Sequence, residues 1–197
     1  ARLTAAGGAG KVTLAWESAP RGFRIERSRD GARVWETAGE ARAGATSFED
    51  GGLLNATTYF YRLASGPSGD ETFSRAVSTR TEDAGGIEAR RLSEAHTLSL
   101  EPPARASFDL GGKYKVFLAA VAIDEDDPGR GSPLTFTVTG DGKALWISRL
   151  LRSPLESQDC RVDITGVGRL ELTATAEGDT PARALWIEPQ AAAESPR

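Results

Sequence analysis

The chain has 197 residues, with 28 acidic against 24 basic side chains, a formal net charge of −4, 39% hydrophobic and 26% charged residues. This length suits one large domain or two small ones, the composition is that of ordinary globular protein, and without blocks of like charge a nucleic-acid interface is excluded. No apolar run approaches the roughly 18 residues of a membrane span, and a single cysteine, Cys160, with a single histidine, His96, rules out an internal disulfide and a cysteine-cluster metal site.

The chain begins Ala1-Arg2-Leu3 and contains no methionine, so it is expected to be a piece of a longer protein. Glycine recurs between short runs of β-branched and aromatic residues, the rhythm of many strands joined by turns, and no long segment has helical periodicity. Residues 11–16 alternate, placing Val12, Leu14 and Trp16 on one face. Residues 22–27 repeat the pattern with Phe23 and Ile25 inward, and Asp30-Gly31 predicts a hairpin turn into a short return strand at 34–36. Further strands are predicted at 45–48, 58–64 and 72–79, together an antiparallel sandwich. Residues 81–86, Thr-Glu-Asp-Ala-Gly-Gly, are small, acidic and linker-like.

A second β-rich unit follows. Residues 104–110 lead into a Gly111-Gly112 turn, and 114–123 form a nearly continuous apolar run, which suits a central strand buried on both faces. An acidic loop spans 124–131. Two alternating runs, 134–139 and 143–148, face each other across Asp141-Gly142 as a hairpin, with Phe136 and Val138 on one face. Residues 160–164 and 169–175 alternate cleanly, 185–187 form the last strand, and 191–197 have no pattern and are expected to be disordered.

The runs KVTLAW, FRIERSRDG, FEDGGLLNATTYFYRLAS and SRAVSTRT resemble a fibronectin type III domain over residues 1–82. The resemblance implies an immunoglobulin-like sandwich, usually a spacer, with Tyr59 as a corner tyrosine whose hydroxyl bonds backbone upstream. The runs ARASFDLGGKYKVFLAAVAIDEDDPGRGSPLTFTVTGDGKALWISRLL, VDITGVGRLELTATAEGD and ARALWIEP are similar, in order and spacing, to the NPCBM family over residues 97–190. That resemblance implies a galactose-binding-like jelly roll, non-catalytic and carbohydrate-binding, appended to secreted bacterial glycoside hydrolases and related surface proteins. Glu101 stands where the family has a histidine, and Leu185 and Glu188 where it has aspartates. The expectation is therefore an all-β chain of two sandwiches in tandem: 1–82 fibronectin-like, 83–96 linker and lead-in, 97–190 jelly roll, 191–197 tail.

Sugar sites combine an aromatic face with a few convergent polar groups. Trp16, Trp35, Trp146 and Trp186 all read first as packing residues. The acidic loop ends a buried strand and so lies at one end of its sandwich. Its carboxylates Asp124, Glu125 and Asp126 suit sugar hydroxyls, with Arg130 as a nearby donor. Asp124 and Asp126 suit calcium as well, which takes six to eight oxygen ligands. His96 and Arg183 complete the candidate set. Cys160 reads as a buried thiol, Asp141-Gly142 as turn chemistry, and Asn55-Ala56-Thr57 matches a glycosylation sequon.

With no nucleophile–base constellation the chain is not expected to be an enzyme. The expected function is a non-catalytic carbohydrate-binding module with a spacer domain, part of a larger extracellular protein, secreted or at the cell surface. Its expected partners are a galactose-containing glycan and its covalently linked neighbouring domains, with no nucleic acid and no membrane insertion. The alternative is a degenerate module acting as a structural or protein-interaction domain.

Overall fold

The computed structural model describes residues 2–17, 21–67, 70–126, 132–178 and 182–196. The chain divides into two compact units, one built on residues 1–88 and one on residues 89–195. Both are all-β, and among the described residues no helix is long and apolar enough to cross a membrane.

The first unit comprises β1 (Thr4–Gly8), β2 (Lys11–Ala15), β3 (Phe23–Ser28), β4 (Glu36–Ala41), β5 (Ser47–Gly51), β6 (Thr58–Ser65), β7 (Thr72–Phe73) and β8 (Val77–Arg80). One antiparallel sheet runs β1-β2-β5; the other runs β4-β3-β6, with β7 and β8 both paired to β6. Two facing antiparallel sheets make this unit an immunoglobulin-like sandwich. The alternation of β2 does what its sequence implies: Lys11, Thr13 and Ala15 face out while Val12 and Leu14 are wholly buried. Trp16 joins them, its Nε1 donating to the Ala45 carbonyl at 2.8 Å and its ring meeting Phe23 edge-on at 5.1 Å. The Leu54 amide donates to the Tyr59 hydroxyl at 3.1 Å, the corner-tyrosine bond the resemblance implied.

Three details depart from the sequence reading. β1 carries no hydrophobic pattern and was not anticipated. The return strand after Asp30 begins at Glu36, because Asp30 organises a longer loop. Its carboxylate accepts the Ala32 and Arg33 amides while the Ser28 hydroxyl accepts those of Asp30 and Gly31, satisfying backbone that a two-residue hairpin would have paired across the ladder. The run 72–79 is split into β7 and β8, with the Leu63 amide between them donating to Ser74 Oγ rather than to a ladder partner.

The second unit comprises β9 (Ala89–Arg91), β10 (Thr97–Leu100), β11 (Arg105–Asp109), β12 (Val116–Ile123), β13 (Leu134–Gly140), β14 (Lys143–Ile147), β15 (Ser157–Asp163), β16 (Arg169–Ala176) and β17 (Ala184–Ala192). One sheet runs β10-β17-β12-β15, with β9 also on β17; the facing sheet runs β11-β16-β13-β14. β12 is buried at every position, as its continuous apolar run implies for an interior strand. Phe117, Val121, Phe136, Val138, Leu170, Leu172 and Trp186 fill the space between the sheets. The β13–β14 turn has φ of 48° at Asp141 and 83° at Gly142, the two positive values of a type I′ hairpin.

β17 runs longer than expected. Ala191 and Ala192, which the sequence reading put in a patternless tail, are fully buried and pair with Phe117 and Val116. Two alanines carry little strand propensity of their own; the interior ladder on β12 holds them. β9 likewise lies in the stretch read as linker, paired to β17 through Arg91↔Gln190. Between Leu118↔Gln190 and Ala120↔Ile187, two residues of β17, Glu188 and Pro189, stand opposite Ala119 alone, a β-bulge that puts Glu188 at φ +48°.

Candidate functional site

Three strand ends meet at one rim of the second unit. Asp124 follows β12, Arg183 precedes β17 and Glu101 follows β10. Because β17 pairs with β12 on one side and with β10 on the other, the register fixes their proximity. Ile123 and Leu100 are both partners of Ala184, so the next residues outward on each strand are Asp124, Glu101 and Arg183. The Asp124 amide extends the ladder by donating to the Arg183 carbonyl at 3.0 Å. The Arg183 guanidinium then lies between two carboxylates, 3.4 Å from Asp124 Oδ2 and 3.4 Å from Glu101 Oε1. The three side chains grade outward from 18% exposed at Asp124 through 45% at Arg183 to 76% at Glu101. At such exposure the ion pairs contribute little to stability, and their polar edges remain open to solvent.

Asp124 Oδ1 accepts the Asp126 amide at 3.1 Å, so the start of the acidic loop is an Asx turn that directs Glu125 and Asp126 outward. Arg130 and Asp127 lie outside the described residues. Among the described residues no group of three His, Cys, Asp or Glu side chains could hold a metal ion. Asp124 and Asp126 supply two carboxylates toward a calcium ion that takes six to eight oxygens, and Arg183 already faces one oxygen of Asp124. The described donor set does not fit calcium.

His96 is not part of this rim. The loop between β9 and β10 passes over the β17 bulge, where the Leu92 amide donates to the Pro189 carbonyl and the Glu188 amide to the His96 carbonyl. There His96 Nδ1 hydrogen-bonds Glu188 Oε1, with Arg91 3.9 Å from the same oxygen. The Glu188 carboxylate is buried while the His96 ring is largely exposed. His96 and Glu101 stand at opposite ends of β10, about 17 Å apart at the rise of an extended strand. The candidates therefore divide: Asp124 and Arg183 converge, with Glu125 and Asp126 on the adjoining turn, whereas His96 belongs to the bulge. Glu101, which sequence reasoning left out of the candidate set, is the added member; only the β10–β17 register reveals it.

No tryptophan offers a free platform at this rim. Trp186 is fully buried, its ring edge-on to Phe136 at 5.4 Å and to Phe117 at 6.1 Å. Trp146 is half-buried against the same core, and Trp16 lies in the core of the first unit. Trp35, also in the first unit, is half-buried with the Arg62 guanidinium 4.2 Å above its ring.

Among proteins of curated function none matches this chain. A solved structure of the catalytic domain with two CBM51 domains of Clostridium perfringens ZmpB is 15% identical, over 98% of this chain and 31% of that one, with a TM-score of 0.49. The chain thus spans less than a third of that protein. CBM51-2 with the INT domains of ZmpB, in complex with GlcNAc, is 14% identical over 70% of this chain and 38% of that one, with a TM-score of 0.46. CBM51 from Clostridium perfringens GH95, in complex with methyl-galactose, is 17% identical over 65% of this chain and 77% of that one, with a TM-score of 0.44. The match to a family covers well over half the chain and takes in the whole of the second sandwich through β17: across residues 71–192 the chain belongs to the NPCBM/NEW2 domain family.

Proposed function

We propose that the second sandwich is a non-catalytic saccharide-binding module and that its ligand is gripped at the Asp124–Arg183–Glu101 rim. One observation carries this: a guanidinium held between two carboxylates, all three planar, partly exposed and delivered by separate strand ends. Planar bidentate groups suit the adjacent hydroxyls of a pyranose, and charge-assisted hydrogen bonds of this kind are the strong ones. Membership of the NPCBM/NEW2 family supports the saccharide class. In this reading the first sandwich is a spacer, the chain is part of a larger extracellular bacterial protein, and galactose-type glycans are the favoured ligands.

The test is a calorimetric or NMR titration of the chain with methyl-galactose and with GlcNAc. Losing one charge-assisted hydrogen-bonding partner costs about 1.5–3 kcal/mol, or about ten- to hundredfold in affinity. Arg183→Ala is expected to weaken binding by that factor and His96→Ala to leave it unchanged. Binding insensitive to Arg183, or no binding across a glycan array, would give the module a structural or protein-interaction role instead.

A further inference from the structure

The rim that holds Asp124, Arg183 and Glu101 supplies charged, planar groups, whereas small-molecule sites also present apolar surface. The connection from β14 to β15 brings some there. It crosses from one sheet to the other at the same rim. Leu151 exchanges both backbone hydrogen bonds with Leu134, the first residue of β13, and Ser157, the first of β15, pairs with Ala122 near the end of β12. Asp124 lies two residues beyond Ala122, and Leu155 two residues before Ser157. The antiparallel register therefore carries Leu155 to the level of Asp124 on the adjoining strand. Adjacent strands stand about 4.7–4.9 Å apart, and a pyranose is wider than one such step.

Leu155 is 91% exposed, the most exposed of the large apolar residues described. It is nevertheless firmly held. The Glu156 amide donates to the Ser153 carbonyl at 3.0 Å, closing a turn with Pro154 and Leu155 at its centre, and the Leu155 amide donates to Ser153 Oγ at 3.2 Å. Arg149 clamps the far side of this turn. Its guanidinium donates to Glu156 Oε2 at 2.8 Å and to the Ser157 carbonyl at 2.9 Å, and its amide to Gln158 Oε1 at 2.9 Å. Turns are built mainly from Gly, Pro, Asn, Asp and Ser. Ser153 and Pro154 follow that rule and Leu155 breaks it. Neither turn chemistry nor core packing accounts for a leucine at this tip, and breaches of local rules concentrate at functional sites.

From this we infer that Leu155 is a specificity-determining contact of the rim, and that the saccharide bound there carries a methyl group, as an N-acetamido or a 6-deoxy sugar does. The inference rests on the saccharide reading of the Asp124–Arg183–Glu101 rim. The polar trio holds adjacent hydroxyls, and the methyl of the same sugar unit lies against the Leu155 side chain, one strand over. A branched aliphatic side chain offers a methyl substituent close contact but has no hydrogen bond for a hydroxyl, so a hydroxymethyl group in the same place gains less.

The test is a titration of the whole chain with two matched comparisons: D-fucose against galactose for the 6-deoxy arm, and N-acetylgalactosamine against galactose for the N-acetamido arm. Burial of one methyl is worth about fourfold in affinity. At least one of the two methyl-bearing sugars is expected to bind about fourfold tighter than galactose. Leu155→Ser, an exposed substitution, is expected to bring that ratio to about one with the amide spectrum away from the turn unchanged, and Leu155→Met to retain it. The inference is overturned if neither sugar binds more tightly than galactose, or if the ratio persists in Leu155→Ser. It is also overturned if Leu155→Ser weakens all three sugars equally, since Leu155 would then meet the ring they share. Arg183→Ala separates this result from the rim itself. If it weakens all three sugars while Leu155→Ser leaves their ratio intact, the rim stands and the role of Leu155 falls. If the ratio depends on Leu155 but binding is insensitive to Arg183, the apolar contact stands and the polar trio falls. If no sugar binds, both fall.

Discussion

A single hydroxyl closes one corner of the first sandwich. Tyr59 is 2% exposed, and its oxygen accepts the amide of Leu54, itself wholly buried. Burial raises the Tyr59 hydroxyl above its ordinary pKa, so it stays neutral at any physiological pH. Tyr59→Phe keeps the ring in the core and strands one buried N–H donor, the costlier half of a broken hydrogen bond. The expected loss is about 1–3 kcal/mol of stability in this unit, read as a fall in the denaturant midpoint with unchanged slope. A change below about 0.5 kcal/mol, the level of a neutral surface substitution, would mean that water or another acceptor reaches Leu54. The sequence flagged this residue through its neighbours, and the bond formed where the motif implied.

Strands show where such legibility ends. β2, β12, β13 and β16 alternate or run apolar, and their burial follows their sequence position by position. β1 and β4, Thr-Ala-Ala-Gly-Gly and Glu-Thr-Ala-Gly-Glu-Ala, carry no such pattern because close packing has selected for small side chains. A Cβ on Gly7 would fall 1.9 Å from the Arg80 carbonyl oxygen, and one on Gly39 would fall 2.5 Å from the Phe48 ring. The constraint comes from a neighbour on another strand, so the pattern within the strand itself does not show it. The rim obeys the same logic: Asp124 and Arg183 were each legible as polar residues at a strand end, but their meeting depends on a ladder between strands far apart in the chain, and Glu101 enters only through that ladder.

The β13–β14 hairpin was legible and holds more than its turn. Asp141 accepts the amides of Gly168 and Arg169 at 3.0 and 2.8 Å, tying the hairpin tip to the start of β16. Those two amides hold its carboxyl below the ordinary value of 3.8. The folded state thus favours the ionised form. The resulting stabilisation is complete above the ordinary value and is lost as pH falls through the lower folded one. Asp141→Asn keeps a residue that tolerates the left-handed conformation and removes the charge. It is expected to lower the melting temperature at neutral pH, with the gap to wild type closing below the ordinary carboxylate range. A gap constant down to strongly acid pH would assign the tie to geometry alone.

At the scale of the whole molecule the apolar interior is divided. The core of the first unit, around Leu14, Trp16, Ile25 and Tyr61, shares no residue with that of the second, around Phe117, Phe136 and Trp186. The first core also surrounds a buried polar group. Arg27 donates to both oxygens of Asp50 at 3.1 and 2.9 Å and to Glu36 at 2.9 Å, and the Tyr61 hydroxyl donates to Asp50 at 2.8 Å. Burial alone would pull the Arg27 pKa down, but Asp50 and then Glu36 outweigh it and hold the pKa above its ordinary value. Burial, then the Asp50 charge, pushes the Tyr61 hydroxyl up. Asp50→Ala would remove the buried carboxylate partner of Arg27, itself 6% exposed, whereas the other carboxylate it pairs with, Glu36, is half-exposed. Breaking a buried pair by removing one member costs about 3–5 kcal/mol, a large part of the stability of a domain this size. Since each unit has its own core, the loss should fall on one alone. Calorimetry of Asp50→Ala is expected to show one transition moved down by 10 °C or more, at about 4–8 °C per kcal/mol for a small domain, and the other in place. Any saccharide binding at the Arg183 rim should then survive at temperatures where the first sandwich has melted. If both transitions move together, the two sandwiches fold as one cooperative body despite their separate cores.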